Sequence, residues 1–293
     1  GSGEYTGNME LAGGRLSLLN DKDLTGILSL SENSELNVPQ GTTLVINQSG
    51  NLPFRAANGA TKTLAFSGGG KLTFKNSINI SVGELQAGDG TLEFGDGGSV
   101  ARLSLDNTTL VLQDNLTVGQ ELIATGTEPT LQFNNNSLDL TSDNAQLKLG
   151  TSLNLNGILT SEKTAVTLSA DSTLSRSSAF TLGSINLQNL ALSLGSAESD
   201  LTVTGAVTFG YPSSQINTGG ADLSLQSAVS LANGKISSTA GTLVFEQGAA
   251  LGGNNAILDF SGSTVEFSGT LNVGAGTITS DNGSVLELQA ASS

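Results

Sequence analysis

Apolar residues recur along this chain in short alternating triplets. Examples are Leu16-x-Leu18, Leu44-x-Ile46, Leu72-x-Phe74, Leu92-x-Phe94, Leu131-x-Phe133, Leu201-x-Val203, Leu243-x-Phe245 and Val265-x-Phe267. Turn-forming clusters separate them, such as Ser67–Gly68–Gly69–Gly70, Thr218–Gly219–Gly220 and Asp281–Asn282–Gly283–Ser284. Alternation with period two over three to five residues predicts a short strand with one buried face. No stretch sustains the i, i+3, i+4, i+7 stripe of an amphipathic helix over three turns. The pattern is all-β.

A longer period lies over the short one. One ladder runs Phe180, Leu201, Leu223, Leu243, Val265, Leu286, and a second runs Leu187, Phe209, Leu231, Leu251, Val273. A third runs Leu194, Ile216, Ile236, Ile257, Ile278. All three repeat every 20–22 residues. Three interleaved ladders with one period predict three short strands per coil, each stacked on its counterpart one coil later. Backwards, Leu116, Leu138 and Leu159 lead into the first ladder, Leu149 and Leu168 into the second, and Phe133, Leu155 and Leu174 into the third. The expected fold is a right-handed parallel β-helix, a single solenoid domain over residues 1–293. Its register is looser in 3–110 and regular in 110–290, with longer turns expected at Thr61–Phe74 and Gln86–Leu103.

Other all-β folds fit less well. A sandwich or barrel needs longer strands and no coil period, and a propeller blade needs about 40 residues with its own signature. Left-handed hexapeptide helices keep a stricter spacing than the five to eight residues separating the faces here. With parallel strands about 4.8 Å apart, roughly thirteen or fourteen coils predict a rod of about 60–65 Å. Gly and Asn suit the corners, and the scarcity of Pro (4 residues) fits strands with hydrogen-bonded neighbours on both sides.

Composition rules out disorder. Apolar residues make up 37% of the chain and charged residues 13%, the reverse of the disordered signature. A formal charge of −15, from 26 acids against 11 bases, excludes nucleic acid and anionic membrane as partners and suits a soluble surface. No run of eighteen apolar residues predicts a membrane-spanning helix. The opening Gly1–Ser2 reads as a tag-cleavage remnant. The absence of Cys fits export without disulfides.

The chain has neither His nor Cys, which excludes Ser-His-Asp and Cys-His catalysis and ordinary zinc sites. No Lys stands in a Ser-x-x-Lys context. The acids from which a glycosidase or lyase could draw paired carboxylates are Asp89, Glu93, Asp96, Asp139, Asp143, Glu198, Asp200, Glu246, Asp259 and Glu266. Glu93 with Asp96, and Glu246 with Glu266 one coil on, are the nearest candidates, and solvated outward positions are the expected reading. Asp21–Lys22–Asp23, Gly88–Asp89–Gly90 and Gly95–Asp96–Gly97 complete no calcium loop and read as turns. Thr-x-Thr arrays do not recur at the coil period. Phe245 and Phe267 are expected to stack internally, leaving Tyr5 and Tyr211 as the aromatics of exposed type. Asn-x-Ser/Thr sequons at Asn47, Asn79, Asn107, Asn115, Asn135 and Asn282 are expected by chance in such a composition. No catalytic, cofactor-binding or metal-binding residue is assigned, and no cofactor.

Segments such as Gly90–Thr91–Leu92–Glu93–Phe94, Gly241–Thr242–Leu243–Val244–Phe245 and Gly274–Ala275–Gly276–Thr277–Ile278 resemble the passenger regions of bacterial autotransporters and filamentous-haemagglutinin-like exoproteins. The resemblance is one of composition and period over nearly the whole chain, without a unique motif. It implies a β-solenoid displayed outside the cell, with a role in adhesion, aggregation or scaffolding, and it carries over no functional residue. Outer-membrane anchoring would come only through parts absent from this chain. The expectation is a non-catalytic structural or adhesive rod, extracellular or on the bacterial surface. Host-surface or matrix molecules, or end-to-end self-association, are the candidate partners. A carbohydrate-binding or carbohydrate-cleaving β-helix and a self-assembling fibre or sheath subunit are the alternatives. Neither end shows an amphipathic helix or a charged, Pro-bearing cap, so the chain is expected to be cut from a longer solenoid or to stack on its own copies.

Overall fold

The computed structural model describes residues 3–54 and 58–289. The reading of Gly1–Ser2 as a remnant lies outside them. The described residues hold strands and turns and no helix, and the strands pair in parallel as a β-solenoid of about 14 turns. The chain divides into two compact units. The first comprises residues 1–145 and 157–159, the second 146–156 and 160–293.

In the first unit several strands run through more than one face of a coil without a break. Ile78–Phe94 pairs with Gly50–Asn51 at its start, Thr63–Ser67 in its middle and Lys71–Phe74 at its end. It bends twice, at Gly83 (φ 91°) and at Asp89–Gly90 (φ 56° and 87°). A Cβ at Gly83 would lie 2.5 Å from the Lys62 carbonyl oxygen, and one at Gly90 2.4 Å from that of Gly70. Only glycine combines that backbone with so close an approach. Gly98–Leu112 follows this path one coil later, with a bulge between Val100 and Arg102.

In the second unit the coil has three faces in the expected order. Phe180–Leu182, Ser184–Asn186 and Ala191–Leu194 form one coil, and Leu201–Val203, Val207–Thr208 and Gln215–Asn217 the next. The first ladder matches the pairing residue for residue: Phe180, Leu201, Leu223, Leu243, Val265 and Leu286 are successive partners. In the second ladder Leu231 pairs with Leu251 and Leu251 with Val273, and further back Leu149 pairs with Leu168.

The third ladder needs correction. Ile216 stands over Leu192, not Leu194, and Ile236 is followed by Leu258, not Ile257, and then by Ile278. Ile257 points outward between Lys235 and Thr277, half-buried, whereas Leu258 is 2% exposed. The inward set here is Ala256, Leu258 and Phe260, and the small Ala256 hides the alternation. The same slip occurs at Ile158–Leu159, where Leu138 pairs with Ile158 and Leu159 is 41% exposed. Leu174 pairs with Leu153, two residues from the expected Leu155. Two inward residues of one triplet are chemically alike, so only pairing tells which one stacks.

The longer turns also lie elsewhere than expected. The long coil step is the one from Ser34 to Leu64, whose extra residues precede Thr63. Gln86–Leu103 carries no insertion: the step from Glu84 to Arg102 is short, and both residues are in strands.

The core is a pile of like residues. The rings of Phe74 and Phe94 stack with centroids 5.4 Å apart, and those of Phe245 and Phe267 at 4.7 Å, as expected for the latter pair. Each fully buried Leu, Ile, Val or Phe contributes about 1.5–3 kcal/mol, against about 0–1 kcal/mol for an exposed ion pair. The stacked apolar columns therefore dominate stability.

Candidate functional site

Of the acids singled out in the sequence, Glu93, Asp200, Glu246, Asp259 and Glu266 bond to a neighbouring coil. Glu93 pairs with Lys71 at 2.8 Å, while Asp96 is exposed in its turn. Glu246 accepts a hydrogen bond from Ser224 (3.2 Å) and Glu266 one from Gln289 (3.4 Å). The partner of Glu266 one coil earlier is Val244, so Glu246 and Glu266 are not stacked. Asp139 accepts from the backbone and hydroxyl of Thr141, and Asp200 from the backbone N–H of Asp222 (2.9 Å). Among the described residues no group of three Asp or Glu is placed to hold a metal ion.

Asp21 belongs to a recurring device. Its Oδ1 accepts the backbone N–H of Thr43 (2.8 Å), one coil on. Asn107 does the same for Thr127, Asn115 for Ser137, Asn156 for Ser177, Asp171 for Ala191 and Asp222 for Thr242. A turn leaves backbone donors without a ladder partner, and an Asp or Asn in the preceding coil supplies the acceptor. Buried hydroxyls complete the corners. Ser199 donates to the Arg176 carbonyl (3.1 Å), and Ser263 donates to Ser238 (2.9 Å). Sequence reasoning missed both features. Asp and Asn at like corner positions were the available signal, whereas inward Ser and Thr resemble surface residues in so Ser-rich a chain.

The outward columns of the second unit are short and polar. Ser193, Asn217, Ser237, Asp259 and Thr279 follow one another in register. Asn217 donates to Ser193, Ser237 to Asn217 and Thr279 to Asp259 (2.7 Å). Lys235 closes on Asp259 at 2.6 Å. The Lys235 ammonium, then the Thr279 hydroxyl, hold the Asp259 carboxyl below its ordinary value. Hydrogen bonds from Ser261, Ser284 and the Gly262 N–H do the same for Asp281.

The described residues of the first unit form an apolar and a polar concavity. An apolar cavity of about 370 Å³ is lined by Tyr5, Met9, Leu16, Leu24, Leu36 and Leu44. An open polar depression of about 580 Å³ is lined by Arg15, Asn33, Glu35, Thr63 and Gln86, with Arg15 and Glu35 paired at 3.4 Å. Tyr5 and Tyr211 are both exposed, as expected, and Tyr211 stands in a turn whose N–H is accepted by Ser214. Compared with known proteins, the chain matches no family model, no curated protein and no solved structure.

Proposed function

We propose that this chain is a structural or adhesive solenoid segment of a secreted or cell-surface protein, working through repeated outer columns and not through a reactive group. The observation that carries the reading is the continuous column Ser193–Asn217–Ser237–Asp259–Thr279. Ser193, Asn217 and Ser237 bond in series, Thr279 bonds Asp259, and the column presents one polar group per coil. Such a face offers a partner many weak, evenly spaced contacts, and summed weak contacts hold through multivalency. The resemblance to autotransporter passengers supports export and display. Host-surface or matrix molecules are the partners it fits.

A carbohydrate-binding reading is favoured by one feature, the polar depression at Arg15, Glu35 and Gln86. One experiment tests the adhesive reading and a second tests whether the chain cleaves carbohydrate. Beads bearing the chain should adhere to matrix- or cell-coated surfaces with a strength that rises steeply with the density of chain on the bead. Acidic and neutral polysaccharides incubated with the protein should keep their chain length. Release of new reducing or unsaturated ends above a heat-inactivated control would overturn the non-catalytic reading.

A further inference from the structure

The chain contains four Asn-Gly pairs: Asn58–Gly59, Asn156–Gly157, Asn233–Gly234 and Asn282–Gly283. In such a pair the glycine nitrogen meets no Cβ hindrance when it turns on the neighbouring carboxamide. Three of the four carboxamides are held. Asn156 Oδ1 accepts the N–H and the hydroxyl of Ser177 (2.9 and 3.0 Å). Asn233 Oδ1 accepts from Asn255 (3.4 Å), and Gly234 lies inside the paired strand Val229–Ser238. Asn58 Oδ1 accepts the N–H of Ala60 (3.0 Å). Asn282 differs. It is exposed in a turn, among the described residues its carboxamide has no hydrogen bond, and Gly283 follows at φ 98° with open space around its Cα.

We infer that Asn282 is a site of spontaneous deamidation and isoaspartate formation in the folded protein. The Gly283 nitrogen gives its proton to water and attacks Asn282 Cγ. The new N–Cγ bond closes a succinimide, and the Cγ–N bond of the carboxamide breaks to release ammonia. Water then adds to one of the two ring carbonyls. Opening at one gives aspartate. Opening at the other gives isoaspartate, in which the main chain runs through the former side chain and is one carbon longer. That carbon enters the turn between Asp281 and Ser284, the two residues whose side chains bond the N–H of Gly262 in the preceding coil. The product therefore carries a new negative charge and a weakened tie between coils. A held carboxamide must first open locally to react, and local opening is rare where cross-coil bonds persist.

Ageing the intact protein at mildly alkaline pH, in buffer and in denaturant, tests the inference by peptide mapping with isoaspartate detection. In denaturant the four sites should convert at similar rates. In the folded protein Asn282 should stay within about threefold of its denatured rate, while Asn156 and Asn233 slow by about tenfold or more. The Asn282→Gln variant should lose the signal from its peptide alone, since the six-membered ring closes far more slowly. Equal slowing at Asn282, Asn156 and Asn233, or no conversion at Asn282 while the denatured control converts, would overturn it.

Discussion

Ile257 and Leu258 carry large apolar side chains on consecutive residues that face opposite media. Leu258 stands between Ile236 and Ile278 in the core, and Ile257 stands between Lys235 and Thr277 outside it. A carboxylate at 258 has no partner and would be desolvated, which costs several kcal/mol or drives a rearrangement. A carboxylate at 257 stays near water beside Lys235. Leu258→Asp should therefore lower the urea midpoint severely, and Ile257→Asp should change it by no more than about 0.5 kcal/mol equivalent. If the two variants melted together, the pairing of Ile236 with Leu258 would be wrong. Elsewhere single residues were legible: Phe180, Leu201, Leu223, Leu243 and Val265 stack as their spacing predicts. Spacing failed where two apolar residues adjoin, at Ile158–Leu159 and Ile257–Leu258, because either one satisfies a period of about 21.

Between the strands, the corners carry the information that hydrophobic spacing lacks. Turn amides that would otherwise lack a partner are met by Asp or Asn from the adjacent coil. Asp222 does this for Thr242, and Asp281, bonded to the N–H of Gly262, does it in the reverse direction. The sequence showed that corners exist, through Gly and Asn, but not which acid bonds which amide, since that depends on register. The pKa of Asp281 offers a test. Bonds from Ser261, Ser284 and Gly262 favour its ionised form and lower it below the ordinary 3.8. A carboxyl depressed on folding contributes stability that is present above its unfolded pKa and is lost as pH falls through the folded one. Asp281→Ala should thus be less stable than the parent near neutral pH, and the gap should narrow as pH falls below the ordinary 3.8. Chemical denaturation at a series of pH values measures it, and a gap that does not narrow in acid would remove the charge from the explanation. The same acid range should loosen the pair Lys235–Asp259, since Asp259 is depressed by Lys235 and Thr279.

Over the whole chain, nearly every strand is paired with strands one coil away in sequence. The strand Ala249–Phe260, for example, is bonded to Val229–Ser238 before it and to Leu271–Val273 and Thr277–Ser280 after it. That order was legible because repetition places the same demand on every coil, so a period appears even when single positions are misread. Function was not legible in the same way: a column such as Ser193–Asn217–Ser237 states a surface chemistry without naming what it meets. The pairing has an energetic consequence. A fold whose coils touch only their neighbours has a stability close to a sum of coil terms and neighbour-interface terms, so damage stays local. A globular core spreads one buried charge through all its contacts and unfolds as a unit. Leu258→Asp should accordingly speed amide exchange most in Ala249–Phe260, and next in Val229–Ser238 and Thr277–Ser280, whose ladders it breaks. The effect should fade with each coil towards Phe180–Leu182. Ile78–Phe94, in the other compact unit, should keep its parent rate. Exchange followed by mass spectrometry in dilute denaturant reads this gradient peptide by peptide. An increase of equal size from Ile78–Phe94 to Thr277–Ser280 would mean that the chain opens as one cooperative body, and the neighbour-by-neighbour account of its stability would fall.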